Sequence, residues 1–147
     1  MSLRERLNDE LKASMKSKDE LKLSVIRMVR SSIKNREIER QHELDDREII
    51  EIISTLCKQR RESIRLFQEA KRQDLVDKEE RELSLLLEFL PQQLTREELQ
   101  ELVKKTIAEC GAQGPKDMGR VMKALQPSVA GRADGKLVSD VVKEQLA

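Results

Sequence analysis

Leucine, isoleucine and valine recur three or four positions apart along almost the whole chain, with charged residues between them. Apolar residues at that spacing fall on one side of a 3.6-residue turn, the mark of an amphipathic helix. No segment alternates in the period of two that a half-buried strand requires. The pattern predicts an all-α protein.

Ser2-Leu-Arg-Glu5 has capping-box form and opens a helix whose stripe is Leu3, Leu7, Leu11 and Met15. Ser17-Lys-Asp-Glu20 offers a second box, and Leu21, Val25, Met28/Val29 and Ile33 carry a helix to about Arg40. After a connection holding His42, Asp45-Asp-Arg-Glu48 starts a third helix with Ile49, Ile52, Ile53, Leu56, Ile64 and Phe67 inward, ending near Gln73. A fourth runs from about Asp74 through Leu83, Leu86, Leu87 and Leu90 to Pro91, which has no N–H to continue it. Thr95-Arg-Glu-Glu98 then caps a helix with Leu99, Leu102, Val103 and Ile107 inward, closed by Gly111. A short helix over Asp117–Leu125 is expected to be interrupted by Pro127 and Gly131. Asp134 is placed to cap a last one carrying Leu137, Val138, Val141, Val142 and Leu146. We place a boundary within Pro91–Leu94, giving an N-terminal four-helix domain, 1–92, and a small helical tail domain, 93–147. The last three helices are too short to be stable alone and need mutual packing.

Composition narrows the chemistry. The chain is 39% charged against 37% hydrophobic, so one large core is not expected. Aromatics are 1%, with no Trp or Tyr, which argues against an RNA reader built on stacking platforms. Net charge is +1, so binding to nucleic acid has to be local. Cys57 and Cys110 lack C-x-x-C spacing and read as reduced thiols. The opening residues MSLRERLNDELK alternate charge and apolar groups rather than forming a leader, and no window approaches a membrane span. A cytoplasmic protein without membrane attachment is expected.

Catalytic and metal chemistry find little footing. His42 is the single histidine and lies in a polar run. Glu39, Glu43, Asp45 and Asp46 cluster in sequence, but carboxylates there also suit a helix N-terminus. The chain lacks G-x-x-x-x-G-K-[ST] and G-x-G-x-x-G, so nucleotide binding of those kinds has no support. No catalytic residue, cofactor or metal is assigned. Basic residues are more informative: Lys116, Arg120, Lys123, Arg132 and Lys136 crowd the last third, where positions 111–147 hold six basic and four acidic residues. Gly131-Arg-Ala-Asp-Gly135 leads into a helix start whose free N–H groups suit a phosphate. Lys58-Gln-Arg-Arg61 with Arg65, and Arg27, Arg30 and Lys34, are further basic stretches on helix surfaces.

The runs Leu23-Ser-Val-Ile-Arg-Met-Val29, Lys58-Gln-Arg-Arg-Glu-Ser63 and Leu90-Pro-Gln-Gln-Leu94, followed by Glu97-Glu-Leu99, resemble the YqeY-like bacterial proteins. Asp117-Met-Gly-Arg-Val-Met122 and Gly131-Arg-Ala-Asp-Gly135, with Val138 and Val142, are similar to the tail of the B subunit of the amidotransferase that amidates Glu-tRNA or Asp-tRNA. The resemblance implies a helical N-terminal bundle joined to a tail domain that helps hold tRNA, without the amidotransferase's catalytic domains. Where that tail usually carries lysine, Arg120 and Arg132 stand here, keeping charge while changing hydrogen-bond geometry. The expected function is a non-catalytic accessory protein of tRNA-dependent amidation. It would bind tRNA backbone through Lys116, Arg120, Lys123, Arg132 and Lys136, with Gly131 and Gly135 admitting close approach. Two alternatives stand beside it: a helical adaptor for a tRNA synthetase or amidotransferase, and a carbon–nitrogen ligase with glutamine as amide donor.

Overall fold

The computed structural model describes residues Met1–Ala147 and consists of helices α1 (Leu3–Ser17), α2 (Glu20–Arg40), α3 (Asp46–Glu69), α4 (Gln73–Leu87), α5 (Arg96–Cys110), α6 (Met118–Val129) and α7 (Gly135–Leu146). It contains no strand, and a 3₁₀ turn over Pro115–Asp117 precedes α6. The protein is all-α. It divides into two compact units, Met1–Leu90 and Pro91–Ala147.

Local chemistry explains where the helices of the first unit start and stop. Ser2 accepts from Glu5 N, and Asp45 with Glu48 forms a reciprocal capping box on α3. The start of α2 differs from the sequence expectation. Ser17 is the last residue of α1, Lys18 turns through left-handed backbone (φ 58°), and Asp19 accepts from Lys22 N. A helix that ends in a left-handed residue needs that residue before the next cap, which shifts the cap from Ser17 to Asp19. Met15 is 55% exposed, and Ser14 takes its place in the stripe. The Ser14 hydroxyl can be buried because it donates to Glu10 O at 2.7 Å. Likewise α3 stops at Glu69, where Lys71 (φ 57°) turns the chain and Arg72 N donates to Phe67 O at 2.9 Å. α4 ends at Leu87, and Phe89 N and Leu90 N bond back to Leu86 O and Leu87 O, tightening the turn ahead of Pro91.

One core joins the four helices, formed chiefly by Leu7, Val25, Ile26, Val29, Ile49, Ile53 and Leu86. Each such side chain contributes about 1.5–3 kcal/mol on burial. Polar ties then fix the helices against one another. Asp46 Oδ1 accepts from Leu3 N at 3.1 Å, Lys22 Nζ lies 2.7 Å from Glu10 Oε2, and Arg6 stacks on buried Phe89, 5.5 Å from its centroid. Arg60, part of a basic stretch in the sequence, turns inward. Its Nε sits 2.8 Å from Glu82 and 3.3 Å from Glu79 on α4, with all three side chains below 20% exposure.

Candidate nucleic-acid interface

The Pro91–Ala147 unit is built on valine. Leu99 and Val103 of α5, Val121, Leu125 and Val129 of α6, and Val138, Val141, Val142 and Leu146 of α7 form its core. Thr95 and Glu98 make a reciprocal capping box on α5, and Gly111 (φ 64°) ends that helix. α6 runs on through Pro127 to Val129, past the expected stop. Proline here deprives only the last turn of one N–H, while Val121, Leu125 and Val129 recur every four residues and hold that turn on the core. The helix ends where Gly131 takes φ 73°.

Burying that stripe turns Arg120 and Lys123 to the opposite side of α6. Lys116 lies four residues before Arg120, in the 3₁₀ turn that feeds the helix, and all three side chains are exposed. Asp117 organises this end. Its Oδ2 accepts from Gln113 N at 2.9 Å, and its Oδ1 lies 3.3 Å from Arg120. The Gln113 N–H is the main reason that the Asp117 carboxyl is held below the usual carboxylate range. Desolvation opposes the shift, and the Arg120 and Lys116 charges add to it. Asp117 offsets part of the Arg120 charge, whereas Lys116 and Lys123 enter no ion pair.

Arg132 occupies a different position. Its Nε donates to Gln92 O at 3.2 Å and its Nη1 approaches Ser128 O at 3.5 Å, while its own carbonyl accepts from Leu94 N at 2.8 Å. Gln93 Nε2 adds a bond to Gly131 O at 2.7 Å. The 91–94 strap is thereby fastened to the turn between α6 and α7. Arg132 has a structural duty that the sequence reading did not assign, leaving part of its five-donor guanidinium for a ligand. Gly135 begins α7, with Asp134 at the N-cap position and Val138 N bonding to Asp134 O. Apart from its chain neighbours and its own helix backbone, nothing lies within 4 Å of where a Cβ on Gly135 would stand, so packing does not require glycine there. Lys136 is exposed, on the side of α7 away from Val138 and Val142.

The remaining sequence candidates have structural employment. Asp45 caps α3, Asp46 holds Leu3 N, and Glu43 lies 3.4 Å from Arg4. His42 is exposed, its Nδ1 3.0 Å from Glu43 O. Cys57 is buried and Cys110 half-buried, and neither is in a disulfide. No helix is long and apolar enough to cross a membrane.

An all-helical chain in two units, with a polar outer α6 face and a strapped tail, is the class defined by this geometry. The family described as Yqey-like protein matches residues 4–146, and the chain belongs to that family. A protein of Pyrenophora tritici-repentis named Altered inheritance of mitochondria protein 41, mitochondrial, is 33% identical over 95% of this chain and 78% of its own length. The protein of the same name in Kluyveromyces lactis is 41% identical over 54% of this chain and 44% of its own. These relatives are mitochondrial by name and fungal, so the likeness extends beyond the bacterial proteins that the motifs suggested.

Proposed function

We propose that the protein is a non-catalytic accessory factor that binds the phosphate backbone of tRNA through its C-terminal unit, in the service of tRNA-dependent amidation. The observation that carries this reading is the exposed cationic face of Lys116, Arg120 and Lys123, with Lys136 at the start of α7, on a unit whose motifs resemble an amidotransferase tail. Exposed cations that neutralise phosphates release the counterions condensed on the nucleic acid, which gives affinity without reading sequence. The compartment we assign is the cytoplasm.

Binding of the full chain to total tRNA at low and moderate salt tests the reading. Saturable binding is expected, and in the Lys116→Ala/Arg120→Ala/Lys123→Ala variant the slope of log affinity against log salt becomes shallower by about 2–3. Arg132 is left intact because removing it also loosens the strap. Absence of binding by the wild-type chain overturns the proposal. A protein adaptor would then be the reading to pursue, for which Ile38 and Leu66, 68% and 50% exposed, are the apolar side chains to substitute first.

A further inference from the structure

An open groove of about 580 Å³ runs between α1 and α2 in the Met1–Leu90 unit. Leu7 and Ile33, both buried, form its floor. Its charged lining is Arg4 from α1 with Arg27, Arg30, Lys34 and Glu37 from α2, four cations against one carboxylate. That carboxylate is already engaged. Glu37 accepts from Leu44 N at 2.8 Å and pairs with Arg4, so these two lining charges satisfy each other. Arg27, Arg30 and Lys34 are exposed and take part in no ion pair or side-chain hydrogen bond. Bringing three uncompensated cations along one rim costs self-repulsion that an anion would relieve.

Spacing and chemistry indicate which anion. Positions 27, 30 and 34 follow one edge of α2 over roughly 10 Å at 1.5 Å per residue, enough to meet more than one phosphate of a strand. Guanidinium forks engage phosphate oxygens in pairs. Phe67 and Phe89 are the only aromatic residues of the chain, and neither lines the groove, so it offers no stacking platform for a base. We infer that the α1/α2 groove is a second, separate anion site that takes consecutive phosphates, those of a nucleic-acid strand or of a free oligophosphate, through Arg27, Arg30 and Lys34. It does not depend on the surface assigned to the C-terminal unit.

The test uses the full chain and a labelled single-stranded RNA followed by fluorescence anisotropy, with inorganic tripolyphosphate as competitor. The groove variant is Arg27→Ala/Arg30→Ala/Lys34→Ala. A control, Lys16→Ala/Lys58→Ala/Lys78→Ala, removes equal charge from exposed positions of the same unit outside the groove. Alanine favours a helix and these side chains are exposed, so unchanged circular dichroism is expected for both. The groove variant should bind RNA on the order of tenfold more weakly, with a salt slope shallower by about 2, and the control should stay near wild type. Competition by tripolyphosphate would support the site with a short phosphate run as sufficient ligand; resistance to it would support the site with an extended strand as the source. Equal losses in groove and control variants, or no binding of either probe by the wild-type chain, would overturn the inference. A groove variant that binds as wild type while the Lys116/Arg120/Lys123 variant does not would remove this site and leave the proposed function standing; the opposite pattern would do the reverse.

Discussion

Three helix ends in the Met1–Leu90 unit turn through left-handed backbone at Lys18, Gln41 and Lys71, whereas in the Pro91–Ala147 unit that conformation falls on Gly111 and Gly131. A residue with a Cβ is strained there by about 1 kcal/mol relative to glycine. The first unit sustains the strain because its helices, 15 to 24 residues long, share a broad core and are tied side chain to side chain by Arg4–Glu37, Lys22–Glu10 and Arg60 between Glu79 and Glu82. The second unit has helices of 12 to 15 residues, relaxed turns, a valine core and a strap fastened partly through backbone carbonyls. Both units rest on packing; the first adds ion pairs between its helices, the second glycine turns and a hydrogen-bonded strap.

Leu125→Ala opens a cavity in the valine core and should cost about 3 kcal/mol, the largest loss expected of any single change to the second unit. Hydrogen exchange should show faster opening in peptides from 91–147 and not in those from 1–90; loss of protection in both would mean that the units do not stabilise independently. Next comes Arg60→Ala. It strands two largely buried carboxylates on α4 and is expected to destabilise the first unit by about 2 kcal/mol, read from the denaturant midpoint. Substitutions at the turns sharpen the contrast further: Gly111→Ala should lose about 1 kcal/mol, while Gln41→Gly should gain about 0.5 kcal/mol despite the greater freedom of glycine in the unfolded chain. Equal signs at the two positions would contradict the difference in strain.

The smallest effect is one of pH. The Glu37 carboxyl is held below its ordinary value first by the Leu44 N–H, with burial opposing and Arg4 assisting. Its folded-state pKa is thus below the unfolded one. Its stabilisation is complete above the ordinary carboxylate range and disappears as pH falls through the folded-state value. Stability of wild type and Glu37→Gln should converge over that acid window. Asp117 has the same sign in the other unit, so the measurement is informative only when peptides of each unit are followed separately.

Much of this was legible in the sequence, and the exceptions have physical reasons. The capping boxes at Asp45 and Thr95 marked α3 and α5, because a cap is a bond between residues three apart. Ser17 imitated such a box, but the left-handed turn at Lys18 decided the actual cap. Pro127 looked like a stop because sequence shows its missing donor and not the packing of Val129. At the candidate interface, the cluster of Lys116, Arg120 and Lys123 was readable from the sequence. The duty of Arg132 was not, since its partner carbonyl at Gln92 lies 40 residues away in the chain. Arg27, Arg30 and Lys34 were visible as one face of a helix, but the groove they line exists only once Arg4 and Leu7 of α1 lie opposite.

The bonds from Leu94 N, Gln93 and Arg132 also set where this tail could be cut out and grafted onto an unrelated carrier. A graft beginning at Thr95, where its first helix is capped, would leave the carbonyls of Gly131 and Arg132 without these donors and free the turn that positions α7. One beginning at Pro91 takes its own fastening with it. The natural border of the transplantable segment is therefore drawn by hydrogen bonds to an apparently irregular stretch, ahead of the first helix.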